Sequence, residues 1–167
     1  IAINSFTRVA NNINFAALDN DETFLEKKKD NLFNSNYRLA ESYKLNLYSN
    51  WFYTKQRDTM KVYDTMTVKQ DSINQLHFNK AEQYYNMCID MRPDTFYVYQ
   101  GLMDLYVFTE KFDKAESLYS TIKERFYSDS LLSTFSSSLA QAYSTSKDYK
   151  KALTFYEKIY SKDTNDV

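Results

Sequence analysis

The chain has 167 residues, a formal net charge of −1 and 17% aromatic residues, among them 16 Tyr and 12 Phe. This length suits one domain with a buried core or a short repeat array, and the near-zero charge excludes the basic excess that non-specific nucleic-acid binding requires. A single Gly and a single Pro argue against folds rich in tight turns and predict long helices with short connections.

Cysteine content and hydropathy limit the class of protein further. The single cysteine, Cys88, rules out an internal disulfide framework. No stretch of 18 apolar residues occurs, so we expect no membrane span. The chain opens at Ile1 without the basic start and apolar run of a signal peptide. We therefore expect a processed or truncated chain, and the sequence predicts no compartment.

Residues 1–58 form a predicted N-terminal helical segment. Positions 1–20 carry only a weak helical stripe, at Phe6, Val9 and Ile13. The stretch DNDETFLEKKKDNLF is typical of a helix start, with acidic residues in its first turn and lysines after them. From Tyr37 onward the stripe strengthens, through Ala40, Tyr43, Leu47, Trp51 and Phe52. The segment is either a degenerate repeat or a helical hairpin that leads into an array.

An approximate boundary between the N-terminal segment and the repeat units is predicted near Asp58. The polar run KQRDTMKVYDTMTVKQDS indicates a connection or an interrupted helix. Residues 59–167 are then expected to hold about three helix–turn–helix units.

The evidence for repeats is one spacing that occurs three times, in FNKAEQYYNMC, FDKAESLYSTI and YKKALTFYEKI. The alanines at its centre, Ala81, Ala115 and Ala152, lie 34 and 37 residues apart, and Pro93 follows Ala81 by twelve. Upstream of the last two alanines, apolar residues recur at matching offsets: Leu102, Met103 and Tyr106, then Leu139, Ala140 and Tyr143. In this order of large, small, aromatic and alanine positions the chain resembles the tetratricopeptide repeat (TPR), a helix–turn–helix unit of 34 residues.

The pattern has a packing interpretation. A small residue at Ala115 or Ala152 allows two helix backbones to approach closely, while Tyr119 or Tyr156 fills the space one turn further on. Cys88 takes the place of Ile122 and Ile159, which predicts a buried thiol. Asp113 and Asp148 are suitable N-caps or first-turn acids. The three extra residues before the last unit are expected in KERFYSDS, as a longer helix end or loop.

The resemblance implies an all-α fold, a right-handed superhelical array of antiparallel helix pairs, that is, a TPR-like α-solenoid. It also implies a partner-binding surface on the first helix of each unit. The positions concerned are Tyr63, Met66, Gln70, Asn74, Tyr97, Gln100, Asp104, Phe108, Thr134, Ser137, Gln141 and Thr145. None is Lys or Arg, so the basic clamp that some family members use for a carboxylate is not expected. The alternative is that Tyr97 and Phe108 belong to the core.

The sequence offers little for catalysis. His77 is the only histidine and is expected in a loop before the helix of Ala81, as a solvated or capping residue. One histidine and one cysteine are too few for a zinc site or a nucleophile–base pair, and one glycine is too few for a phosphate-binding loop. We therefore expect no enzyme activity, metal or cofactor.

Two functions remain from this reasoning. The first is a scaffold or adaptor that holds a protein or peptide in a larger assembly. The alternative is a regulatory or sensor segment of a longer signalling or transcription-regulating polypeptide. The last helix carries Phe155, Tyr156, Ile159 and Tyr160, and is expected to expose an apolar strip for docking or homo-oligomer formation.

Overall fold

The computed structural model describes the backbone of residues 22–59, 65–126 and 128–163, and the side chains of residues 24–50, 71–126, 128 and 130–160. Over these ranges every regular element is a helix, so the all-α prediction is confirmed for the described residues. The helices are α1 (Glu22–Thr59), α2 (Thr65–Met91), α3 (Phe96–Phe108), α4 (Phe112–Arg125), α5 (Asp129–Thr145) and α6 (Tyr149–Asp163). They fall into two compact units, which divide between Pro93 and Asp94.

The first unit is a hairpin of α1 and α2. Neither helix contains Gly or Pro, so nothing in the sequence interrupts them. Near one end of the hairpin Cys88 Sγ lies 3.7 Å from the carbonyl oxygen of Phe33, and further along Asn50 Nδ2 lies 3.4 Å from His77 Nδ1. The helices are therefore antiparallel. Their buried apolar residues are Phe33, Leu39, Ala40, Leu47, Phe78, Ala81, Tyr85 and Cys88.

The hairpin corrects one expectation and leaves another open. The stripe that begins at Tyr37 lies on one continuous helix that pairs with α2, and the choice between a degenerate repeat and a hairpin for residues 1–58 stays open. The expectation of a loop at His77 is wrong, because α2 continues through this residue. Asn74 and Phe78 on either side of it are buried, and this packing stabilises the helix where sequence matching placed a turn. Asp58 lies in the last turn of α1, and the boundary predicted there stays a prediction.

Some predicted features of the N-terminal third lie outside the described residues. These are the weak stripe at Phe6, Val9 and Ile13, and the side chains of Trp51 and Phe52.

The second unit consists of two helix pairs, α3 with α4 and α5 with α6. Helix α3 also contacts α5, and α4 contacts α5. Three-residue connections join the helices of each pair, which makes them antiparallel neighbours. The buried apolar residues of this unit are Val98, Tyr99, Leu102, Met103, Leu105, Tyr106, Ala115, Leu118, Ile122, Leu132, Phe135, Leu139, Ala140, Tyr143, Ala152 and Phe155.

The three alanines of the repeated spacing are all buried, as the packing interpretation requires. Ala81 and Ala115 are fully inaccessible and Ala152 is 4% exposed. Tyr119 contacts the next helix as expected, because its Oη lies 2.9 Å from Ser136 Oγ. Tyr156 was expected to act in the same way and does not. Phe155 fills the core instead, stacked on Tyr143 at 5.8 Å, and Tyr156 faces solvent.

The turns within the two pairs have the same geometry. Glu110 and Lys147, 37 residues apart, both have positive φ, at 56° and 67°. In each turn, the backbone N–H of the residue that follows donates to the carbonyl oxygen five residues earlier. Lys111 donates to Tyr106 and Asp148 donates to Tyr143, which is the Schellman arrangement. Asp148 then accepts a hydrogen bond from the Lys151 N–H at 3.2 Å, so its predicted capping role is confirmed.

The extra residues of the last unit lengthen a helix. Helix α3 has 13 residues and α5 has 17, so α5 is one turn longer at its beginning. This extra turn buries Leu132.

Candidate protein-binding surface

Helix α3 exposes one narrow stripe. Most of its residues are buried, because it is packed by α4 and α5. Tyr97, Gln100 and Asp104 are exposed, and Phe108 is half-buried, as are Phe96 and Val107 at the two ends of the helix. The stripe consists of Tyr97, Gln100, Asp104 and Phe108. These four positions recur at intervals of three and four, so they lie along one side of the helix. Tyr97 is 45% exposed, so the alternative that it belongs to the core is wrong.

Helix α5 carries the equivalent stripe. Thr134, Ser137, Gln141 and Thr145 are all exposed, and each lies 37 residues after its counterpart on α3. The two threonines donate hydrogen bonds to carbonyl oxygens one turn earlier in their own helix, at 3.1 Å and 2.9 Å. The amide of Gln141 and the hydroxyl of Ser137 thus lie between residues that bond to their own backbone.

The two stripes belong to neighbouring helices that run in the same direction. The Lys114 ammonium lies over the Tyr106 ring at 5.8 Å, whereas Phe126 at the other end of α4 contacts Tyr99 at 5.2 Å, so α3 and α4 are antiparallel. Helices α4 and α5 are antiparallel by the same reasoning. Phe112 at the start of α4 contacts Tyr143 near the end of α5, and Tyr119, further along α4, contacts Ser136, which comes earlier in α5. Helices α3 and α5 are therefore parallel and in contact. We call the two stripes together the α3/α5 face.

The α3/α5 face is polar and almost uncharged. Its side chains supply two amides, three hydroxyls from Ser and Thr, two aromatic rings and the single carboxylate of Asp104. Amides and hydroxyls both donate and accept hydrogen bonds, so the face matches the groups of a peptide backbone. A carboxylate without Lys or Arg at these positions does not favour an anionic ligand.

The predicted first-unit positions belong to the other compact unit. Tyr63 lies outside the described residues. Met66 and Gln70 lie in α2, but only their backbone is described. Asn74 is buried in the hairpin with α1. The part of the binding surface predicted on the first unit thus stays a prediction.

A polar cluster behind the α3/α5 face connects three helices. Tyr143 of α5 donates its hydroxyl hydrogen bond to Glu116 of α4, and Lys151 of α6 lies 3.0 Å from the same Glu116 oxygen. Burial and the bond to Glu116 raise the pKa of Tyr143 to about 12. Burial opposes ionisation of Glu116, but the hydrogen bonds from Tyr143 and Lys151 outweigh it and lower its pKa. Both groups therefore stay in their hydrogen-bonded forms at neutral pH, and the cluster stabilises the packing of α5 against α4 and α6.

The hairpin contains a similar cluster of its own. Tyr85 donates a hydrogen bond to Glu41, and the Lys44 ammonium lies 2.9 Å from Glu41 and 5.6 Å from the centre of the Tyr85 ring. Burial and the neighbouring carboxylate raise the pKa of Tyr85 above its ordinary value. In both units an acid, a tyrosine and a lysine are thus used for packing.

The two residues most associated with catalysis have structural environments. His77 is half-buried against the Tyr43 ring at 5.8 Å, and burial lowers its pKa. The Cys88 thiol is fully buried, as predicted, and burial raises its pKa to about 12, which disfavours the reactive thiolate. Within the described residues, His, Cys, Asp and Glu side chains form no group of three or more that is placed to hold a metal ion.

Part of one exposed stripe, on α6, was not predicted from the sequence. Tyr149 and Leu153 on α6 are 66% and 58% exposed, and they align with Tyr156 and Tyr160. The intervals of four, three and four residues between these side chains are visible in the sequence. Phe155, which was expected in this strip, is buried, and Ile159 is half-buried.

Comparison with known proteins finds no matching family model, no matching curated protein and no matching solved structure. Among the described residues, no helix has the length and apolar character needed to cross a membrane.

Proposed function

We propose that this chain is a non-enzymatic scaffold or adaptor that holds a partner protein on the α3/α5 face. The proposal depends on one observation, which is that α3 and α5 expose side chains at equivalent positions. Two otherwise well-packed helices each leave one stripe exposed, and the stripes occupy the same positions 37 residues apart. Simple solvation of a helix surface favours charged side chains, whereas the α3/α5 face has a single charged residue.

The chemistry of the α3/α5 face supports a protein or peptide as the ligand. Tyr is among the residues enriched at protein interfaces, because its ring buries apolar area while its hydroxyl bonds to polar groups. Gln100 and Gln141 supply amides that match the N–H and C=O groups of an extended or helical segment. No side chain on the face favours phosphate, so a nucleic acid is not the proposed partner.

The packing behind the face supports a holding role. Residues that carry a binding stripe lose less conformational entropy on association when their helix is already fixed. Leu102 and Met103 on α3, and Leu139 and Ala140 on α5, are buried directly beside the exposed positions. We propose that these helix pairs are TPR-like repeats, supported by the matched alanines, turns and stripes.

The test is the double variant Tyr97→Ala with Gln100→Ala, compared with Lys123→Ala with Glu124→Ala. The control residues are exposed on α4, which contributes no residue to the α3/α5 face as defined. Wild type and both variants serve as baits for quantitative affinity capture from native extract, and titration calorimetry then measures the purified partner. Circular dichroism and thermal melting verify that each bait is folded.

We expect the α3 variant to lose the partner or to raise its Kd at least tenfold, while the α4 control binds as wild type. Equal binding by a folded α3 variant contradicts the assignment of the α3/α5 face.

A further inference from the structure

The strongest remaining feature is the apolar stripe on α6. Tyr149, Leu153, Tyr156 and Tyr160 are 66%, 58%, 38% and 68% exposed. At 3.6 residues per turn the four side chains lie within an arc of about 60°. Ala152 and Phe155, which face the core, lie to one side of this arc, about 70° and 130° from its middle. The stripe is therefore a continuous apolar surface, separate from the α3/α5 face.

The repeat shows what kind of element such a surface receives. Phe112, Glu116 and Tyr119 on α4 precede Tyr149, Leu153 and Tyr156 by 37 residues. All three contact α5: Phe112 through the Tyr143 ring at 4.7 Å, Glu116 through the Tyr143 hydroxyl, and Tyr119 through Ser136. This side of α4 packs against a neighbouring antiparallel helix, so the equivalent side of α6 is shaped to pack against a helix as well.

We propose that this helix is α6 of a second copy of the chain, in an antiparallel two-fold dimer. Spacing of four, three and four residues is the pattern of a helix seam that packs against another helix. In the antiparallel arrangement Tyr149 lies opposite Tyr160 of the second copy, and Leu153 lies opposite Tyr156. A two-fold interface brings the same surface of both copies together, so each contact occurs twice.

The charges beside the stripe favour this orientation. Lys150 and Glu157 are exposed on one edge of α6, two turns apart. Antiparallel pairing places Lys150 of each copy near Glu157 of the other, which gives two attractive pairs. Parallel pairing places this edge of one copy beside the opposite edge of the other, so these pairs do not form. The edge thus selects an antiparallel second copy.

The size of the stripe indicates a weak dimer. With about 200–250 Å² for a complete tyrosine side chain, the exposed parts of the four residues amount to about 500 Å² per copy. The total of about 1,000 Å² lies at the lower limit for specific interfaces, where association is transient. We expect a Kd in the micromolar range. The dimer is independent of partner binding on the α3/α5 face.

The test is sedimentation of the whole chain from about 1 μM to 1 mM, with variants of the stripe and of its edge. Leu153→Glu is expected to raise the dimer Kd at least tenfold. Its matched control is Leu76→Glu on α2, because Leu76 is similarly exposed at 53%. The control is expected to dimerise as wild type, and thermal melting verifies that both variants are folded.

Charge reversal tests the orientation. Lys150→Glu and Glu157→Lys are each expected to dimerise several-fold more weakly than wild type, since each places like charges across the interface twice. An equimolar mixture of the two variants restores both attractive pairs, and we expect a heterodimer close to wild type in affinity. Added salt is expected to reduce these differences.

Several results overturn the proposal. A chain that stays monomeric up to 1 mM excludes the second copy and leaves the stripe to a helix of a different protein. A dimer that is unchanged by Leu153→Glu, or weakened equally by Leu76→Glu, lies elsewhere on the molecule. A mixture of the charge variants that associates no better than either alone contradicts the antiparallel pairing.

Discussion

The bond between Tyr143 and Glu116 gives a direct test of how the second unit is held together. The change Tyr143→Phe removes one hydroxyl and keeps the ring, which packs against Phe112 and Phe155. Because the ring contacts remain, the loss of stability reports on the hydrogen bonds of the hydroxyl, which donates to Glu116 and accepts from Lys151 Nζ at 3.3 Å.

The expected magnitude follows from the charge and exposure of the partners. A hydrogen bond to a charged group contributes about 1.5–3 kcal/mol. The side chains of Glu116 and Lys151 are 38% and 46% exposed. Water therefore replaces part of the lost hydrogen bond in the variant, and dissolved salt weakens the electrostatic part of the interaction. We therefore expect Tyr143→Phe to lower the free energy of unfolding by about 1–1.5 kcal/mol at pH 7.

The effect is also expected to depend on pH. The pKa of Glu116 in the folded protein is lower than its ordinary value of 4.5, so its ionised form stabilises the fold above that value. This contribution is lost as the pH falls through the lowered pKa. The difference between wild type and Tyr143→Phe should therefore be full at pH 7 and smaller at pH 3.

The assay is urea unfolding followed by far-ultraviolet circular dichroism at both pH values. Tyr149→Phe is the matched control, because this tyrosine is 66% exposed and loses only a solvated hydroxyl. It is expected to change stability by less than about 0.5 kcal/mol. If Tyr143→Phe has no larger effect than this control, or if its effect is equal at pH 7 and pH 3, the stabilising role assigned to the cluster is wrong.

Three further predictions concern single residues. Lys147→Gly should raise the free energy of unfolding, measured in urea, by about 0.5–1 kcal/mol, because Lys147 has a φ of 67° that glycine adopts without strain. Lys147→Ala is the control, and an equal gain in stability from alanine contradicts the explanation. Asn36→Leu should stabilise the hairpin by about 1–2 kcal/mol, since Asn36 is fully buried and its Oδ1 finds no hydrogen-bond partner among the described residues. Its Nδ2 donates to Met91 Sδ at 3.7 Å, and a thioether is a weak acceptor, so leucine loses little there. Asn36→Asp should destabilise the hairpin, and a loss of stability with leucine refutes this reasoning. Cys88 should resist a thiol reagent at pH 8 in the folded protein and react in urea, because its pKa is about 12; rapid labelling of the native chain would show that it is accessible.

The sequence predicted the second unit well because its signals are local. Ala115 and Ala152 mark positions where only a small side chain fits between helices, so their spacing carries the packing directly. Asp148 caps the helix that follows it, and capping depends on residues within one turn. The stripe from Tyr97 to Asp104 followed from the same register.

The features that the sequence did not predict depend on tertiary contacts. Nothing near His77 distinguishes a turn from a continuous helix, and the burial of Phe78 against α1 decides in favour of the helix. Phe155 and Tyr156 are adjacent aromatic residues, so their order alone does not say which faces the core. The stacking of Phe155 on Tyr143 decides it, and Tyr156 is left in the exposed stripe.

Site-specific photo-crosslinking gives the sharpest test of whether the α3/α5 face holds a partner protein. A photoreactive residue is placed at Gln100 on α3, at Gln141 on α5, or at Glu124 on α4 as the control, since all three positions are exposed. We expect positions 100 and 141 to crosslink to adjacent segments of one partner protein, and position 124 not to crosslink to it. Two results would contradict the claim that the α3/α5 face holds a single partner. Either position 124 crosslinks equally well, or positions 100 and 141 capture different proteins.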